Sequence, residues 1–174
     1  MTNKLKMTLL LIFWAAVFFI LGTMSTVKAA NLYGVFTESY NCGVEKILVE
    51  KSKKQMLLFD CDGNVVKTYK VRVGKNKGPK TCDGDKKTPE GTYHITEKRD
   101  SKYYKFLALD YPQAKDLKNA KEKGCYAGDS IGIHSWIEGL PKEGSLGCIT
   151  VWTKEEILEI NKLVKVGTEV EIRP

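Results

Sequence analysis

The sequence predicts a mainly β domain with one or two short helices. Two observations carry this. Short apolar or alternating runs recur between clusters of Gly, Pro, Asn and Asp from Ile47 onward. Strands and helices do not alternate in the manner of βαβ units.

The elements follow in order. Ile47-Leu48-Val49 and Met56-Leu57-Leu58-Phe59 bracket the polar Ser52-Lys53-Lys54-Gln55 and predict a hairpin. Beyond the turn at Asp60 to Asn64, Val65 to Val73 alternates over its second half. Tyr69, Val71 and Val73 share one face of a half-buried strand. Gly74 to Gly91 has no periodicity and predicts a loop. Thr92 to Thr96, Phe106 to Leu109 and Ile131 to His134 predict further strands. Gln113 to Lys123 predicts a short, lysine-rich, mostly exposed helix stopped by Gly124. The clearest helix opens at Thr153, because Thr153 with Glu156 forms a capping box and Ile157, Ile160 and Val164 fall on one face. Gly167 ends it, and Thr168 to Ile172 closes the chain as a strand with Val170 and Ile172 inward.

Three segments organise the chain. Residues 1–29 read as a secretory signal: Lys4 and Lys6, a charge-free run from Leu9 to Leu21, then Val27-Lys28-Ala29 as a cleavage site. A retained membrane anchor is the alternative, since the apolar stretch extended to Met24 nears the ~18-residue lower limit for a span. Either way the expected location is exported, periplasm or cell envelope, with membrane contact only through this segment. Residues 30–44 form a lead-in, and residues 45–174 form a single domain large enough to hold its own core.

Composition narrows the partners. Without Lys4, Lys6 and Lys28, 25 basic residues face 21 acidic ones, a net charge of +4. That balance does not call for nucleic acid and suits an anionic matrix. Five cysteines (42, 61, 82, 125 and 148) in an exported chain leave at least one thiol unpaired. If Cys148 is the free one, the other four allow three connectivities. No C-x-x-C pair exists and only two histidines are present, so no metal site is expected.

The chemistry-bearing segment is Gly144-Ser145-Leu146-Gly147-Cys148-Ile149-Thr150. Small residues before the cysteine allow close ligand approach and free backbone N–H groups, here those of Gly147 and Cys148, for an oxyanion. A thiol near pKa ~8.5 supplies little thiolate at neutral pH, and a histidine partner is expected to lower it. His134 lies fourteen residues upstream at the end of a strand. By itself such a pair is more often a buried thiol and a structural imidazole than a catalytic dyad. Trp136 and Trp152 flank the two candidates, and His94, inside an alternating strand, reads as structural.

Three ordered motifs resemble the L,D-transpeptidase (YkuD-type) catalytic domain family. Gly132-Ile133-His134 followed by Ser145-Leu146-Gly147-Cys148-Ile149 is similar to the family's histidine and S-x-G-C-[IV] signature. Thr88-Pro89-Glu90-Gly91-Thr92-Tyr93-His94-Ile95 is similar to its T-P-x-G-x-[FY]-x-I element. Val71-Arg72-Val73-Gly74 and Gly167 to Ile172 sit where the family has its first and last strands. The chain departs from the pattern at Ser135 (commonly Gly), Leu146 (commonly His) and Thr150 (often Arg, thought to help hold the donor's carboxylate). The Tyr111-Pro112-Gln113 segment with Asp116 looks nearest to envelope members, including ones that detach lipoprotein from peptidoglycan.

The resemblance implies a β-sandwich fold with Cys148 as nucleophile and His134 as base, acting on peptidoglycan stem peptides without a cofactor. Ser145, Ser135, Trp136 and Thr150 are the implied substrate contacts, and a wall-linked lipoprotein is a further implied partner. No side chain is assigned to orient the imidazole, a role the family often gives to a backbone carbonyl. Two alternatives to transpeptidation stand: hydrolysis of peptidoglycan or peptidoglycan–protein links, and a non-catalytic wall-binding module.

Overall fold

The computed structural model describes residues 43–174. The expectations for the signal or anchor, the first part of the lead-in and Cys42 lie outside these residues. Eight strands and two helices follow in the order β1 (Lys46–Glu50), β2 (Gln55–Phe59), β3 (Val65–Lys70), β4 (Gly91–Ser101), β5 (Tyr104–Leu109), α1 (Ala114–Glu122), β6 (Gly132–Ser135), β7 (Ile149–Val151), α2 (Lys154–Leu163) and β8 (Glu169–Arg173).

The strands form one array in the order β3-β2-β1-β8-β4-β5-β6-β7. The pairs β1–β8 and β6–β7 are parallel and the rest antiparallel. The long β4 makes the fold two-layered. Its first part, Gly91 to His94, pairs with β8, whereas Ile95 to Ser101 pairs with β5. The two ends of the array meet where Arg72, just past β3, bridges Thr150 in β7. Their backbones exchange two hydrogen bonds of 2.8 Å, so the sheet is barrel-like.

Alternation within the strands fills the space between the layers. Ile47, Val49, Met56, Leu58, Val170 and Ile172 from one layer meet Ile95, Leu107, Ile133 and Ile149 from the other, all at most 2% exposed. Each such side chain contributes roughly 1.5–3 kcal/mol by leaving water. Helix α2 closes the core with Ile157 and Ile160. Its capping box is present: Thr153 Oγ1 accepts from the Glu156 N–H at 3.1 Å, and the Glu156 carboxylate accepts from the Thr153 N–H at 2.9 Å.

Two elements differ from expectation, and α1 adds a buried contact. β4 runs on to Ser101 through the charged Glu97-Lys98-Arg99-Asp100, because backbone pairing with β5 needs no apolar side chains. Helix α1 is mostly exposed, as expected, and its buried Asp116 accepts from the Tyr93 hydroxyl at 3.0 Å. The triplet Ile149-Thr150-Val151, too short to announce itself, is the fully buried β7.

Candidate active site

Parallel pairing of β6 with β7 places the two candidates. Ile133 lies opposite Ile149, His134 opposite Thr150 and Ser135 opposite Val151. Carried one residue back, this register sets Cys148 beside Gly132. Opposed residues project from the same face and every second residue returns to it, so the Cys148 thiol and the His134 ring share a face. Ile133, Ile149 and Val151 point the other way into the core, all at 0% exposure. A slip of one residue would bury the chemistry and expose those three, so the apolar positions enforce the site. Gly132 is required here, since a Cβ would lie 2.5 Å from the Leu107 carbonyl oxygen and 2.6 Å from the Phe106 ring.

The imidazole is fixed in one tautomer. His134 Nδ1 lies 2.8 Å from the Ser135 carbonyl oxygen. A carbonyl can only accept, so Nδ1 carries the proton and Nε2 keeps its lone pair. The ring stacks on Tyr103 at 4.2 Å, with Phe106 at 5.8 Å. Burial pushes the His134 pKa below the ordinary imidazole value, and the Arg72 charge adds to this against the opposing Ser135 carbonyl. Burial likewise pushes the Cys148 thiol up, against the Gly132 N–H and the charge of Lys80. Desolvation therefore favours the thiol and the neutral imidazole over their charged forms. This corrects the expectation that a histidine partner would leave the thiol lowered, because desolvation outweighs the nearby donors.

The peptide before Cys148 is held from below. Thr88, fully buried, donates from Oγ1 to the Gly147 carbonyl at 2.8 Å and accepts from the Gly74 N–H at 2.7 Å. In a trans peptide the carbonyl and the following N–H point in opposite directions. The Cys148 N–H is thus aimed away from Thr88. Ser145 Oγ donates to the Cys148 carbonyl at 2.5 Å and accepts from the Gly147 N–H at 3.0 Å. Of the two amides expected to face an oxyanion, that of Gly147 is already engaged. Gly147 sits at φ 146°, with Lys87 O only 3.0 Å from where a Cβ would stand.

A cleft of about 520 Å³ opens onto this face. Cys148, His134, Ser145, Thr150, Arg72 and Tyr103 line it, with Arg99 and Lys102 toward the rim and no Asp or Glu among the lining residues. Ser135 and Trp136 are not part of the lining. Ser135 is fully buried, its hydroxyl donating to the Tyr103 carbonyl at 3.0 Å. The Trp136 indole N–H donates to Leu140 O at 3.1 Å. Both support the cleft from behind, and His94 lies away from it beside Asp110. A wider depression of about 600 Å³ over β1, β2 and β8 holds neither histidine nor free thiol.

Sequence reasoning passed over Arg72, Thr88 and Tyr103 as site residues. The available signal was phase: with Tyr69, Val71 and Val73 on one face, Arg72 belongs to the other.

The disulfides leave Cys148 free. Cys82 and Cys125 are bonded, Cα atoms 5.7 Å apart, and Cys61 is disulfide-bonded as well. Cys148 is the free cysteine among the described residues.

Comparison with known proteins agrees with this geometry. Residues 45–172 match the family model described as the L,D-transpeptidase catalytic domain, YkuD. The putative L,D-transpeptidase YafK of Escherichia coli is 34% identical over 82 residues, covering 38% of this chain and 33% of that protein. Among solved structures, the helical cell shape determining protein Pgp2 of Campylobacter jejuni (K307A mutant) aligns with TM-score 0.60 and 26% identity, over 77% of this chain and 48% of that one. Bd1075 of Bdellovibrio bacteriovorus aligns with TM-score 0.58 and 24% identity, over 78% and 50%. The chain thus spans about a third of the curated relative and half of the solved ones. The matched model covers nearly the whole described domain, and the chain belongs to the L,D-transpeptidase catalytic domain (YkuD) family of enzymes.

Proposed function

We propose that this domain is an exported cysteine acyltransferase that acts on peptidoglycan stem peptides through a thioester on Cys148. The observation that carries the reading is a free thiol and an imidazole whose lone pair is on Nε2, set on one face of a cleft with no acidic lining residue. A cleft lined by Arg72, Arg99 and Lys102 favours an anionic peptide.

As Sγ attacks the carbonyl of the stem's diamino acid, His134 Nε2 takes the thiol proton. The Cys148 N–H donates to the oxyanion. Collapse breaks the C–N bond, and the imidazolium returns its proton to the departing amine. An amine from a neighbouring stem, or from a wall-linked lipoprotein, then attacks the thioester, giving transpeptidation. The Cys82–Cys125 disulfide supports an oxidising, envelope location.

Hydrolysis of the same thioester is the second reading, favoured by Thr150 where the family often has arginine. Intact mass after exposure to a tetrapeptide stem or a carbapenem tests the first step. The expected result is an adduct on Cys148 that Cys148→Ala lacks, and its absence from the wild type would refute the reading. Released peptides decide the second step: new dimers mean transfer, shortened stems mean hydrolysis.

A further inference from the structure

Arg72 is a buried cation without an anion. It is 5% exposed, and no Asp or Glu among the described residues pairs with it. Its guanidinium makes one side-chain hydrogen bond, from Nη1 to the Pro141 carbonyl at 2.9 Å. Nε is buried with no partner. Trp152 and Trp136 pack against it at 4.6 and 5.5 Å. A guanidinium has five donors in a planar fork, and burying it largely unpaired is costly unless an anion arrives to use it. The other cations of the cleft do not share this need: Arg99 pairs with Glu97 at 2.7 Å, and Lys102 is exposed to water.

The position in the cleft says which anion fits. Arg72 pairs with Thr150, two residues beyond Cys148 along β7, roughly 7 Å at the strand rise. His134 lies opposite the same Thr150. An amine leaving the tetrahedral centre must take its proton from His134, so the leaving residue lies on that side of the sulfur. The α-carboxylate of that residue is one residue step, about 3.8 Å, past the attacked carbonyl.

The geometry points to Arg72 as the residue that binds the free α-carboxylate of the leaving residue, selecting stems that end immediately after the cleaved bond. Resting on the acyl-transfer reading above, this assigns carboxylate binding to a neighbouring strand, where Thr150 replaces the usual arginine. The reaction is unchanged in its balance: the S–C bond forms, the C–N bond breaks, and the thiol proton leaves on the amine of a zwitterionic amino acid. A stem prolonged or capped at that carboxyl would leave the fork unfilled.

The test is calorimetric binding of a synthetic tetrapeptide stem, with free acid or carboxamide end, to the full chain and to its Arg72→Gln and Arg72→Lys variants. The wild type is expected to prefer the acid by on the order of 10- to 100-fold. Arg72→Gln should weaken the acid far more than the amide and so erase that preference, and Arg72→Lys should keep part of it. Equal binding of acid and amide by the wild type overturns the assignment without recourse to any variant. So does equal weakening of both peptides in Arg72→Gln, which would show that the arginine only pins the Pro141 loop. If the wild type binds neither peptide and gains no mass adduct with a stem or carbapenem, the acyl-transfer reading itself has failed and this assignment with it.

Discussion

Thr88 and Gly147, 59 residues apart in sequence, meet in a hydrogen bond of 2.8 Å that fixes the peptide before Cys148. Thr88 is fully buried and lies outside the cleft lining, so it acts on the reaction only through that peptide.

Thr88→Val keeps the shape and removes the hydroxyl, leaving the Gly147 carbonyl and the Gly74 N–H without their partner. The expected loss of stability is about 1–3 kcal/mol, read by denaturant unfolding. Acylation of Cys148 by a carbapenem should slow by roughly 10- to 100-fold in protein that remains folded, in proportion to lost oxyanion donation. Thr88→Ser should restore most of the rate. A rate unchanged in Thr88→Val would separate this bond from the chemistry.

Acylation should respond to pH as a thiol with a neutral base, not as a preformed ion pair. Burial holds the His134 pKa below its ordinary value near 6.5, so the base becomes protonated, and the rate falls, only in more acidic solution. Burial holds the Cys148 pKa above the ordinary thiol value, so alkylation by iodoacetamide should keep accelerating beyond pH 9. An alkylation rate already flat at neutral pH would mean a resting thiolate and contradict this account.

The same shift in His134 has a sign for stability. Its folded pKa is depressed, so the unfolded state binds the proton first as pH falls. The stability gained from a neutral His134 is complete above the unfolded value near 6.5 and is lost progressively below it, until the folded imidazole titrates too. Urea midpoints across this window, compared with those of His134→Gln, should show a shallower acid decline in the variant.

Gly132→Ala tests the packing under the thiol. The added methyl meets the Leu107 carbonyl oxygen at 2.5 Å and the Phe106 ring at 2.6 Å, so β5 and β6 must separate. A cost of about 1–3 kcal/mol is expected, with loss of acylation because the Gly132 N–H and the His134 ring move with the strand. Wild-type stability together with wild-type rate would show that the contact is easily relieved.

Reduction of Cys82–Cys125 should loosen a wall of the site. The bridge spans 43 residues and ties the loop after Gly74 to the segment that carries Ser130, whose carbonyl lies 3.5 Å from the Cys148 sulfur. Loop-closure entropy sets an expected loss of about 4 kcal/mol for the Cys82→Ser/Cys125→Ser pair. Thermal unfolding of that variant against the wild type measures it.

Where local rules decide a conformation, the sequence showed it. Thr153 and Glu156 announce the start of α2 because a capping box is closed by residues three apart. Tyr69 and Val71 reveal an inward face because alternation is a property of the strand itself. His134 and Cys148 stood out by chemistry and motif, and the β6–β7 register sets them on one face. What escaped depended on distant partners. Arg72 is buried only because two tryptophans and Pro141 close over it. Thr88 is 59 residues from the carbonyl it holds, and the direction of the thiol's pKa follows from a desolvated pocket that no local pattern encodes.

The Arg72–Thr150 bridge also bears on how the sheet avoids pairing with other chains. β3 and β7 are the outermost strands of the array, the positions from which a sheet recruits foreign strands and aggregates. Joined to each other through Arg72, they offer no open ladder along that stretch. The cleft lies over this join, so the device that guards the sheet against promiscuous pairing also shapes the mouth of the cleft.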